Sequence, residues 1–129
     1  VPSPDDAFQY AIWRVVPSVE RGESLNVGVV VYCRRRQFLA AKTLIDEDRL
    51  RGIAADLDVD ALRRHLDGMM RVAAGDPAGG AVAQLDQSER FGWLTAASST
   101  IVQPSPIHTG LCDDPQAVLD RLFERLVAP

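Results

Sequence analysis

The side chains best suited to bind a polar ligand or move a proton fall in two short segments and at one strand position. The first segment is Glu20-Arg21-Gly22-Glu23-Ser24-Leu25-Asn26. It gathers two carboxylates, a guanidinium and an amide around a glycine, and groups like these on a loop anchored by a rigid strand suit a polar ligand. The competing reading, and the favoured one, is a solvated, charge-balanced turn whose Asn26 bonds nearby backbone. The second segment is Gln103-Pro104-Ser105-Pro106-Ile107-His108-Thr109-Gly110. Its prolines fix the backbone and would hold Ser105, His108 and Thr109 in a defined geometry. Histidine suits proton transfer near neutral pH. Nucleophilic chemistry would further need a base within hydrogen-bond reach and a third group to orient it, and a lone histidine is more often a structural hydrogen-bonder. The strand position is Arg14. An arginine on an apolar strand face must reach the edge or find a carboxylate, and Glu23, where the next strand begins, is the expected partner. The candidate polar site is therefore Arg14, Glu23, Asn26, Ser105, His108 and Thr109, with no catalytic role assigned to any of them.

Other charged groups read as surface chemistry. Arg34-Arg35-Arg36 could touch nucleic acid or an acidic partner, but three charges in a tight turn usually mark a soluble hairpin tip that discourages edge aggregation. Arg63-Arg64-His65 beside Asp60 and Asp67 is a mixed-charge helix face. Asp113 and Asp114 are better explained as helix caps than as metal ligands. The phosphate-loop, nucleophile-elbow and zinc-protease patterns are absent from the sequence. Cys33 and Cys112 form no CxxC pair and have no histidine at ligand spacing. They are expected to be reduced thiols in a cytosolic protein, and neither a metal nor a cofactor is expected.

These residues need a scaffold, and the rest of the chain supplies one. With 129 residues, 47% hydrophobic and 25% charged, the chain fits one globular domain. The formal net charge of -4 gives no general pull toward phosphate backbones, so nucleic-acid binding is not expected. Residues 1–4 read as neither a signal nor a transit peptide, and no apolar run approaches the ~20 residues of a membrane span. The richness in Ala, Arg, Asp and Val fits a GC-rich bacterial genome.

Residues 1–6 read as a flexible tail and residues 7–128 as a single α+β domain. Residues 8–16 alternate with apolar side chains on both faces, the pattern of a central strand. In residues 25–33, Leu25, Val27, Val29, Val31 and Cys33 make one unbroken apolar face, and Gly28 suggests a bulge or a close backbone approach. Residues 37–44 complete an antiparallel meander. Asp46 and Asp58 can cap two helices, the second stopped by Gly75 and Pro77. Ser88 can start one helical turn that buries Phe91 and Trp93. Residues 99–103 form a fourth strand closed by Pro104-Ser105-Pro106. Asp114 and Pro115 open the last helix, with Val118, Leu119, Leu122, Phe123 and Leu126 as its buried stripe. The expected order is β-β-β-α-α-β-α, a small antiparallel sheet with helices packed mainly on one face.

Tyr10-Ala11-Ile12-Trp13-Arg14-Val15-Val16-Pro17, Arg21-Gly22-Glu23 and Asn26-Val27-Gly28-Val29-Val30 together resemble the start of a bacterial family known as domain of unknown function 3037. Residues 99–103 and Pro106-Ile107-His108-Thr109-Gly110 resemble its later segment, so the likeness runs from about Phe8 to Val127. The resemblance implies no activity. Genes of that family are often neighbours of genes for HipA-like kinases, so it does imply a partner or regulator of such a kinase. The leading expectation is thus a cytosolic interaction or regulatory protein, more a non-enzyme than an enzyme. The alternatives are a small enzyme or polar-ligand-binding domain whose site joins the 20–26 and 103–110 loops, and, more weakly, nucleic-acid binding through residues 34–36.

Overall fold

The computed structural model describes residues 6–97 and 101–129. Three antiparallel strands come first: β1 (Asp6–Val15), β2 (Leu25–Cys33) and β3 (Phe38–Thr43). Then follow α1 (Glu47–Ile53), α2 (Val59–Ala74), two single 3-10 turns, and α3 (Gln87–Leu94). The chain closes with β4 (Val102–Pro104), β5 (His108–Cys112) and α4 (Pro115–Leu126). The sheet runs β3-β2-β1-β4, with β5 also paired to β1. The α+β class and the three-strand meander are as the residue pattern predicts.

Each helix starts where an aspartate can take up an orphan backbone N–H. Asp46, Asp58, Asp86 and Asp114 accept from Arg49, Ala61, Glu89 and Ala117 respectively. The helix α3 thus begins before Ser88 and runs for two turns, not one. It buries Phe91, but Trp93 is 48% exposed, against the expectation that both are covered. Two residues apart on a helix, the two rings cannot share one face.

The core has two halves, one on each face of the sheet. On the first face Ala11, Trp13 and Val15 pack with Leu50, Leu62, Leu66, Phe91 and Leu94 of α1, α2 and α3. On the second face Phe8, Val29, Val31 and Cys33 pack with Val118, Leu119 and Leu122 of α4. Lys42 of β3 fastens α4 further, pairing with Asp120 at 2.9 Å and lying over the Phe123 ring.

The apolar face predicted for residues 25–33 is not continuous. The register of β1 against β2 shifts between Trp13 and Arg14, with Trp13 opposite Gly28 and Arg14 opposite Asn26. This leaves Val27 as the extra residue of a β-bulge, which changes the face on which side chains emerge. Leu25 and Val27 therefore join the first face with Val30 and Tyr32, and only Val29, Val31 and Cys33 face α4. Gly28 sits at this switch. A Cβ there would come within 2.8 Å of the Trp13 ring and 3.1 Å of the Lys42 carbonyl, so the glycine gives the indole its room.

The other side of β1 is shared by β4 and β5, two pieces of one interrupted edge strand. Val15 pairs with Val102 and Trp13 with Pro104, whereas Tyr10 pairs with His108 and Asp6 with Cys112. Of the expected fourth strand, residues 99 and 100 lie outside the described residues, and Val102 and Gln103 are in β4. Residues 108–110, expected in a loop, are strand. Asp6, expected in the tail, begins β1. It is buried, and Arg36 donates to its carboxylate at 2.7 Å.

Candidate functional site

Strand alternation decides which predicted site residues can meet. Arg14, between Trp13 and Val15 of the first-face core, emerges on the second face. Asn26 does the same, and its amide donates to the Leu126 carbonyl of α4 at 2.9 Å. His108 is opposite Tyr10, whose ring packs against the α4 core, and the two rings stack with centroids 5.1 Å apart. The second face thus carries Arg14, Asn26 and His108, whereas the Ser105 hydroxyl lies at the sheet edge against the Ile12 backbone. Thr109 follows His108 in a strand and emerges on the first face. Glu23 lies before β2 and pairs with Arg21, not with Arg14 as expected. The physical reason is proximity along the chain, since only Gly22 separates Arg21 from Glu23 and the pair needs no sheet register to meet.

Most of these polar groups already serve the fold. Ser105 bridges the break between β4 and β5. Its backbone N–H donates to the Ile12 carbonyl at 2.8 Å. Its hydroxyl accepts from the Ile12 N–H at 2.9 Å and donates to the Pro106 carbonyl at 2.9 Å. The side chain thus supplies the acceptor that a regular ladder would take from a backbone carbonyl, and it is not a free nucleophile. Asn26 satisfies one of the carbonyls that the end of α4 leaves without an intrahelical partner. Arg14 donates from Nη2 to the Pro104 carbonyl at 3.2 Å, while its buried Nε has no partner.

Residues 34–36 divide their charge. Arg36 hydrogen-bonds Asp6, which raises the guanidinium pKa above its ordinary value, and Arg35 lies 4.0 Å from the same carboxylate. Only Arg34 is left with no ion pair among the described residues. No group of three metal-ligating side chains occurs among them either.

The β4–β5 edge carries apolar features that lie outside the expected polar site. Leu111 is 67% exposed and Ile107 45%. At the β4 end a groove of about 240 Å³ opens between Val102, Pro104, Met69, His65, Leu94 and the exposed Trp93. Among the described residues no strand pairs with the outer side of β5. The signal was present in the sequence as the lack of any Asp, Glu, Lys or Arg in residues 101–112.

Comparison with known families matches residues 10–127, nearly the whole of this fold, to the model described as a protein of unknown function, DUF3037. The chain belongs to that family. No curated protein and no solved structure matches it. The DUF3037 match covers all five strands and all four helices except the first residues of β1, so the edge, the groove and the second-face cluster all lie inside the family domain. Among the described residues of this DUF3037 domain, no helix is long and apolar enough to cross a membrane.

Proposed function

We propose that this DUF3037 domain is an interaction and regulatory module that takes up an extended segment of a partner protein along the outer side of β5. The observation that carries the reading is the β5 edge, which no strand among the described residues pairs, which carries no Asp, Glu, Lys or Arg, and which exposes Leu111 with Ile107 just before it. Sheet edges in soluble proteins are ordinarily blunted by charges, prolines or bulges, because their free N–H and C=O groups template further pairing. Here Pro104 and Pro106 protect β4 and the break after it, but nothing comparable protects the five residues of β5. Strand addition supplies affinity through the main chain and specificity through alternate side chains. Leu111 on the first face, and Trp93 with its groove at the β4 end, provide the apolar anchors.

The partner proposed is a HipA-like kinase in the cytosol, which rests on the gene neighbourhood of the family. Co-expression with the kinase encoded beside this domain tests it. Co-purification together with a change in kinase activity is the expected result, and the absence of both removes the kinase as partner.

A second reading keeps the polar-ligand site, on the second face. The unpartnered Nε of Arg14 favours it, and Arg14 with His108 would hold the ligand. The engagement of Ser105 and Asn26 in the fold makes it the lesser reading.

A further inference from the structure

We infer that the cleft between the β2–β3 turn and the start of α3 binds a small phosphate-bearing anion. The cleft has a volume of about 550 Å³, and its walls include Tyr32, Arg34, Gln37, Ser88 and Arg90. It is separate from the docking edge and does not depend on that reading.

The walls present donors from three elements. From the turn comes Arg34, the one arginine of the triplet that Asp6 does not engage. From α3 comes Arg90, 9% exposed and fixed in place. Its Nε donates to the Leu85 carbonyl, and its Nη1 to the Val72 and Ala73 carbonyls, each at 3.0 Å. The guanidinium thus sits at the C-terminal end of α2, where a cation is stabilised, and Nη2 has no acceptor among the described residues. From β2 comes Tyr32, 8% exposed, with its ring packed 5.2 Å from that of Phe91. Its hydroxyl has no hydrogen-bond partner among the described residues. Arg14 Nε is the only fully buried, unpartnered side-chain polar atom among the described residues, so the Tyr32 hydroxyl meets the cleft.

The start of α3 completes the arrangement. Its first N–H groups have no intrahelical acceptor, and a helix N-terminus favours an anion. The Gln87 side chain donates to the Gln37 carbonyl at 2.8 Å and ties the helix to the turn. One carboxylate, Asp86, also lines the cleft. It accepts from the Glu89 N–H at 2.8 Å as the helix cap, leaving two guanidinium groups against one carboxylate. Guanidinium, hydroxyl and backbone N–H donors line one cleft and suit an oxyanion, and the arginine fork matches two phosphate oxygens.

The test is an amide NMR titration of the full chain with inorganic phosphate, at ionic strength held constant with chloride, with acetate as a parallel arm. Saturable shifts at Arg34, Gln87 and Ser88 are expected, with acetate weaker by about tenfold or more. Arg34→Gln, an exposed substitution, is expected to weaken phosphate binding about tenfold at unchanged Tm, as the loss of a charge-assisted pair predicts. Tyr32→Phe should weaken it by a smaller factor. No saturable shift, equal shifts with acetate, shifts that map elsewhere, or full binding by Arg34→Gln would each overturn the inference.

Discussion

At the scale of single residues, the molecule turns on positions where one atom more or less changes the packing. Gly28 is the sharpest case, because the Trp13 ring that a Cβ would strike is fully buried and hydrogen-bonded through its indole N–H to the Leu94 carbonyl at 3.1 Å. The ring has nowhere to move. Gly28→Ala is therefore predicted to destabilise the fold by about 1–3 kcal/mol, the usual cost of overpacking, read from urea denaturation. A loss within experimental error would mean that the sheet gives way more easily than this packing allows. Cys112 makes a prediction about pH. Burial, and then the neighbouring Cys33 thiol, push its pKa up from the ordinary thiol value. A folded-state pKa above the unfolded one means that the native state holds the proton more tightly. The associated stability is fully present below the unfolded pKa and is lost as pH rises through the folded one. Between neutral pH and about pH 10, spanning ordinary thiol values, the Tm of the wild type should fall more steeply than that of Cys112→Ala. Parallel curves would contradict the assignment.

At the scale of elements, local chemistry was legible in the sequence and non-local chemistry was not. Asp46, Asp58 and Asp114 announce their helices because a cap is made within four residues of itself. The α+β class and the meander followed from strand periodicity and short loops. Gly28 signalled a bulge or a close backbone approach, and the bulge falls beside it at Val27. The change of face it causes was not legible, because β2 is apolar on both faces over most of its length and the alternation reads on unbroken. The strand β5 escaped because Pro104-Ser105-Pro106 signals an end of pairing, and the sequence cannot show that Ser105 carries the ladder across the gap from 93 residues away. The same holds for the candidate site. Asn26 reaches α4 and Glu23 turns back to Arg21, choices made by register and distance. Two predictions belong here. Ser105→Ala leaves the Ile12 N–H without its acceptor and should cost about 1–3 kcal/mol, with faster hydrogen exchange at Ile12. Asn26→Ala should cost about 1 kcal/mol, the net worth of one hydrogen bond, and should speed exchange at the end of α4 selectively. Uniform loss of protection across the domain in either variant would count against these local roles.

At the scale of the whole molecule, the sheet is covered unequally. Helices α1, α2 and α3 close much of the first face and α4 closes the second over β2 and β3, while the β4–β5 side keeps its edge unpaired and its apolar side chains exposed. Leu111 contributes little to the core, so Leu111→Lys should leave Tm within about 2 °C, as expected of a surface change within roughly 0.5 kcal/mol. A charge placed on an edge strand blocks further pairing, and the same variant should lose the partner. The most direct test of the docking account is hydrogen–deuterium exchange of this domain with and without the HipA-like kinase encoded beside it. The account predicts new protection concentrated in residues 107–112, lost in Leu111→Lys. Protection absent from that segment, or appearing instead over residues 20–26 and α4, would contradict it.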